Sequence, residues 1–225
     1  MEPNRRKNPR TLRADGQALK LKNHPQTVRQ RVASEAATLL YFGAEKEYKQ
    51  AKQKAAETLG THFLPTNGEV ALELNRIAEE NEGPERRQRL IRMRQEALQI
   101  MTTLKQYDPV LIGSVWRGTI RRGSDIDIAL CHNSPDHIVK LLVESSLGIV
   151  RTEWTNVTKH GKALAAFHIH GETADGNKVE ITVRGVDEAG KQRKCEIFGD
   201  PMTGLNVKEL EKLLAENATA QFIPE

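Results

Sequence analysis

The sequence predicts an α+β fold, a mixed sheet flanked by helices and preceded by a helical N-terminal segment. Three observations predict it. Apolar residues recur at helical spacing as far as about Lys105, short apolar runs of strand character take over at Val110, and the last of these runs follow one another through turns. From Thr27 to Leu59 the chain reads as one or two helices, interrupted at Gly43 and stopped at Gly60. Thr66 or Asn67 caps the next helix, and Gly83-Pro84 ends it and starts another. In that third helix, from Glu85 to Lys105, Leu90, Met93, Ala97, Leu98, Met101 and Leu104 form one stripe for packing while the arginines face water. Strands follow at Val110 to Ile112 and Ile126 to Leu130. Ser134-Pro135 caps a helix that Gly148 closes, and Ile149 to Thr158, Ala163 to His170 and Lys178 to Val183 are three more strands. A turn around Asp175-Gly176-Asn177 joins the last two, and Asn206 with Glu209 caps a final helix.

Composition narrows the classes. The 225 residues carry 34 Lys and Arg against 30 Asp and Glu, and the apolar fraction of 38% is enough for a core and too high for wholesale disorder. Cys131 and Cys195 make neither a disulfide framework nor a four-cysteine zinc site, so a reduced compartment, the cytoplasm, is expected. No run approaches a membrane span, and no apolar segment follows the basic start, so neither secretion nor insertion is indicated. Charge is unevenly placed: residues 1–31 hold nine Lys or Arg against Glu2 and Asp15, a net +7 that leaves −3 for the rest. A basic arm attracts phosphates without reading sequence, or is simply a solvated tail. The division this suggests is a basic arm over 1–26, a helical region over 27–84 and a mixed α/β domain over 85–225.

The chemistry concentrates in Leu111 to Leu130, LIGSVWRGTIRRGSDIDIAL. A strand ends in Gly113-Ser114, a turn with basic residues follows, and a second strand presents Asp125 and Asp127 on one face, because strand side chains alternate. Paired carboxylates suit Mg²⁺, a hard cation that shares the phosphate oxygens of its substrate. Gly113 lets backbone approach a triphosphate, and Ser114 offers it a hydroxyl and an amide. A bare D-x-D arises often by chance, whereas the same pair with Gly-Ser at a fixed distance upstream does not.

Gly113-Ser114, ten residues, then Asp125-Ile126-Asp127 resembles the signature of the DNA polymerase β superfamily of nucleotidyltransferases, especially the minimal nucleotidyltransferases, and Arg117-Gly118-Thr119 matches their R-G-T. The resemblance covers about residues 85–185. It implies a polymerase β-type core, two Mg²⁺ ions, an NTP donor, ATP first among them, transfer of the nucleoside monophosphate to a hydroxyl, and release of pyrophosphate. It extends the phosphate-binding set of Gly113 and Ser114 to Arg117, Thr119 and Ser124. It also implies a third carboxylate on a later strand, for which Glu180 in Lys178-Val-Glu-Ile-Thr-Val-Arg184 is the candidate, so that Asp125, Asp127 and Glu180 form the catalytic and metal-binding set. Val115-Trp116 departs from the family's small or basic residues; Trp116 either stacks on a base or packs, and packing is the usual fate of a single Trp.

Three further features remain open. If Ala163 to His170 pairs antiparallel with Lys178 to Arg184 so that apolar faces match, His168 and His170 share the face of Glu180, whereas a tight two-residue Asp-Gly turn gives the opposite register. A zinc reading of His160, His168, His170 and Cys195 lacks compact ligand spacing. Lys191, Arg193 and Lys194 line an acceptor groove or form a solvated charge run. The expected activity is Mg²⁺-dependent nucleotidyl transfer to RNA or another nucleic acid, the basic arm motivating that acceptor. The alternatives are nucleotidylation of a protein or small molecule, as in family members that act as antitoxins, and a non-catalytic binding module.

Overall fold

The computed structural model describes residues 27–145, 147–159 and 162–224; the basic arm over 1–26 and His160 lie outside them. The architecture is α+β, with a mixed five-stranded sheet, helices packed on it and a helical N-terminal part. Helices α1 (Val28–Tyr41) and α2 (Tyr48–Thr58) are separated at Gly43, whose φ of 73° is open to glycine at no steric cost. Thr66 caps α3 (Asn67–Thr103) in a reciprocal box with Glu69. That helix is broken at Gly83-Pro84, where Gly83 takes φ 52° and ψ −133°, and the break divides two hydrophobic cores. Upstream, Val32, Ala36, Leu40, Ala51, Ala55, Val70 and Ile77 pack α1, α2 and the first part of α3 together. Downstream, the stripe of Leu90, Met93, Ala97, Met101 and Leu104 belongs to the main core.

The sheet runs β1-β2-β5-β4-β3, with β1 (Val110–Ile112), β2 (Ile126–Cys131), β3 (Gly148–Lys159), β4 (Lys162–Glu172) and β5 (Lys178–Arg184). Only β2 and β5 are parallel; the other neighbours are antiparallel. Between the strands lie α4 (Gly113–Arg117) and α5 (Pro135–Glu144), and α6 (Val207–Glu216) follows, capped reciprocally by Asn206 and Glu209. One face of the sheet carries Leu111, Ile126, Ile128, Leu130, Phe167, Ile169, Val179, Ile181 and Val183, packed against α3 and against Ile138 and Leu142 of α5. The other face carries the alternate residues, so every polar group there is placed by the burial of its neighbours.

The register of β4 on β5 follows the apolar match: Ile169 pairs with Ile181, Phe167 with Val183 and His170 with Glu180. A slip of one residue would bury both histidines and expose Phe167 and Ile169, at about 1.5–3 kcal/mol for each large apolar side chain. The connecting loop spans 173–177 rather than two residues; Thr173 N–H donates to Asn177 O (2.9 Å), and Asn177 Nδ2 and Thr173 Oγ1 donate to Glu96 of α3 (2.8 and 3.2 Å).

One expectation fails on α3. Arg86 and Arg94 do not face water but are buried, Arg94 completely. Arg94 Nε donates to Val115 O (3.0 Å), Nη1 to Ala218 O (2.7 Å) and Nη2 to Trp116 O and Ala220 O (2.8 and 2.9 Å). Burial without a carboxylate partner lowers its pKa to about 10. The four carbonyls repay the desolvation, and the side chain staples α3 to α4 and to the C-terminal segment. Arg86 does the same between the two cores, donating to Ile120 O (2.7 Å) and Glu79 (2.8 Å) and also to Asn75.

Candidate active site

The acidic residues stand on the sheet face turned away from the helical layer. Asp125 precedes β2, Asp127 lies within it, and the parallel register sets Asp127 directly beside Glu180 of β5. The turn after β1 closes on them from one side. Gly113 has φ 71°, and a Cβ built there would lie 1.9 Å from Asp127 Oδ2, so only glycine lets this backbone pass over the carboxylate. That contact is the physical content of the Gly-Ser-to-D-x-D spacing.

Electrostatics follow from this crowding. Burial first, then the negative charges of Glu180 and Asp125, push the Asp127 carboxyl up to about 7. Burial also raises Asp125, with Lys178 opposing and Glu180 adding. Glu180 is held by β4: His168 Nδ1 lies 2.6 Å from Glu180 Oε1, and His168 Nε2 lies 2.8 Å from Thr155 Oγ1 of β3. In the tautomer that donates from Nδ1 to the Glu180 carboxylate, Nε2 accepts from the Thr155 hydroxyl. His170 faces Glu180 in the register but turns Nε2 to Glu153 Oε1 (3.0 Å), beside Arg151.

Among the described residues no group of three or more His, Cys, Asp or Glu converges as a metal site, and His160 of the zinc reading lies outside them. The acids nevertheless suit Mg²⁺ by chemistry. They are hard oxygen donors whose mutual repulsion a cation offsets, and Mg²⁺ takes one or two carboxylates and completes its shell with substrate phosphate and water rather than with a protein cage.

A cavity of about 270 Å³ adjoins this turn and is lined by Gly113, Ser114, Arg117, Thr119 and Ser124 together. Two of these are engaged in holding the protein. Arg117 is buried, with Nη2 2.7 Å from Asp200 Oδ1, Nη1 donating to Phe222 O (2.9 Å), and the guanidinium over the rings of Trp116 (4.4 Å) and Phe198 (4.8 Å). Its charge is already paired with Asp200, so here the side chain holds the wall of the cavity together. Ser124 Oγ accepts from Arg121 N–H (2.9 Å) and fastens the turn before Asp125. Trp116 is buried and packs.

Arg121 of the basic turn lines the cavity as well, while the rest of the wall was not legible in the motif: Tyr48, Leu74 and Asn75 come from the helical N-terminal part, and Cys195 and Phe198 from the segment after β5. Glu82 ties that N-terminal part to the same turn by accepting from Arg122 N–H (3.1 Å).

No protein-family model matches the chain, and a search of curated proteins finds no match. Among solved structures, one match is to a protein described as a cytoplasmic RNA terminal U-transferase, 15% identical, covering 52% of this chain and 34% of that one, with a TM-score of 0.28. The chain thus spans about a third of that enzyme's length. A likeness so slight carries no argument about activity. Among the described residues, no helix is long and apolar enough to cross a membrane.

Proposed function

We propose that this protein is a nucleotidyltransferase that moves a nucleoside monophosphate from an NTP, ATP first among them, to a hydroxyl of RNA. The observation that carries the reading is the pairing of Asp127 with Glu180 across parallel strands, with Gly113 backed against Asp127 so that the glycine turn after β1 and a carboxylate pair meet at one point. Acids left to repel one another at that place make sense if a cation and a polyphosphate share it.

In this reading Gly113 and Ser114 bind the triphosphate tail through backbone and hydroxyl, and Arg121, which lines the same cavity, supplies positive charge. Asp125, Asp127 and Glu180 are the residues that would hold Mg²⁺, which when bound stabilises charge on the attacking and leaving oxygens. Tyr48, Leu74 and Phe198 exclude water from the cavity wall. The acceptor oxygen forms its bond to the α-phosphorus as the bond to the bridging oxygen breaks, and pyrophosphate leaves with that electron pair. The hydroxyl proton passes to Glu180, whose orientation is fixed by His168 and Thr155. The basic arm, +7 over residues 1–31, favours RNA as the acceptor.

Incubation with Mg²⁺, each α-labelled NTP, cellular RNA and protein extract tests this. The expected result is label in RNA that Asp125→Ala with Asp127→Ala abolishes. Label in protein would replace the acceptor, and absence of transfer from every NTP would overturn the enzymatic reading.

A further inference from the structure

On the same sheet face, beyond the acids, β5 continues as Thr182 and Arg184 and β2 as Ala129 and Cys131. Here lies a second cavity, of about 490 Å³, lined by Arg184, Lys191 and Arg193. The two carboxylates in its wall are Asp108 and Glu188, and Glu188 is already taken by Lys191 Nζ (2.5 Å) and Arg193 Nη2 (2.9 Å). Arg184 has no ion pair or side-chain hydrogen bond among the described residues, although it is half-buried. Burial and the Arg193 charge both work against its protonated form. A partly desolvated arginine beside a second cation, at the wall of an open cavity, is a site that an anion completes. The floor is apolar and built from small or medium side chains, Val110, Ile112, Ala129 and Met202. Ile112 and Ala129 lead directly towards the acids, since Ile112 pairs with Asp127. From Arg184 back to Glu180 is four residues, about 13 Å of strand.

We propose that this cavity is the acceptor subsite and takes a nucleotide unit, its phosphate on Arg184 and Arg193, its base and sugar over the Val110–Ala129 floor, and its free hydroxyl towards Glu180. This rests on the transferase reading above and names the acceptor's chemistry. A free nucleoside monophosphate and the 3′-terminal nucleotide of RNA share that chemistry.

Binding without NTP and in EDTA separates the subsite from the transfer reaction. The probes are AMP, by equilibrium dialysis, and an RNA nonamer ending in a 3′-hydroxyl, by fluorescence anisotropy. Wild type is expected to bind at least one of them, and Arg184→Gln to weaken that binding roughly ten- to a hundredfold. Arg193→Gln should weaken it less, Ala129→Leu should block it by filling the floor, and Lys212→Gln, on exposed α6, should leave it unchanged. Arg184-dependent AMP binding identifies a free nucleotide as the acceptor, and dependence seen with RNA alone identifies the RNA terminus. If wild type binds neither probe, or if Arg184→Gln binds both as wild type does, the subsite is overturned. Should Arg184→Gln fail to fold, as judged by its melting midpoint, wild-type affinity in both Arg193→Gln and Ala129→Leu overturns it equally, and a loss in either supports it. Absence of transfer by the wild type, with Arg184-dependent binding intact, would count against the transferase reading and not against this site.

Discussion

At the scale of single residues, the site turns on Gly113 and Asp127. Gly113→Ala must place a methyl where the Asp127 carboxylate now stands and adopt a left-handed φ, which alone costs about 1–2 kcal/mol. The variant is expected to lose that much stability in urea denaturation and to lose nucleotide transfer far more severely, because Asp127 must move. Asp127 also predicts a pH dependence. Its folded pKa, about 7, lies above the ordinary 3.8, so between those values the folded state holds a proton that the unfolded state has released. In EDTA, stability therefore falls as pH rises from about 4 through about 7, by at most about 4 kcal/mol before solvent screening is discounted. Asp127→Asn should flatten that slope and be more stable than wild type at pH 8, whereas Mg²⁺ should raise the wild-type melting midpoint more at pH 8 than at pH 5.5. The D-x-D and Gly-Ser pairs were legible in the sequence because strand alternation and a glycine's missing side chain act over short distances. The fate of Arg117 was not, because Asp200 lies 83 positions away and nothing local announces the pair.

At the scale of elements, α3 and the β4–β5 hairpin do the positioning. Arg94 of α3 ties α4 to the C-terminal segment through four carbonyls. Arg94→Leu leaves those acceptors unpaired in a dry place and is expected to cost about 3–5 kcal/mol in chemical denaturation. Arg94→Lys should recover little, since an ammonium cannot reproduce the guanidinium fork. Helix ends could be read from Thr66, Gly83-Pro84 and Asn206 because caps and breakers act locally. The burial of Arg86 and Arg94 could not, since an arginine in an amphipathic helix has the same sequence signature whether it faces water or a ring of carbonyls. The hairpin shows the opposite case. Asp175-Gly176 alone suggested a tight turn, yet the apolar match of Phe167 and Ile169 with Val183 and Ile181 decided the register and set His168 against Glu180.

At the scale of the whole molecule, the two cores on either side of Gly83-Pro84 are not independent. Arg86 reaches Asn75, Glu79 and Ile120, Glu82 holds the turn before Asp125, and the upstream helices contribute Tyr48, Leu74 and Asn75 to the cavity wall. A chain beginning at Glu85 is therefore expected to bind NTP at least tenfold more weakly than one beginning at Thr27, as isothermal titration calorimetry would show. No motif in residues 27–84 foretold this, because a wall residue needs only to be the right size in the right place. The central claim is that Asp125, Asp127 and Glu180 form one metal and phosphate centre beside Gly113 and Ser114. Its most direct test is a crystal structure with Mn²⁺ and a non-hydrolysable NTP, read through the manganese anomalous signal. Anomalous peaks bounded by those three acids are expected, with the triphosphate on the Gly113–Ser114 turn. Nucleotide bound elsewhere, with no peak at the acids, would contradict the claim.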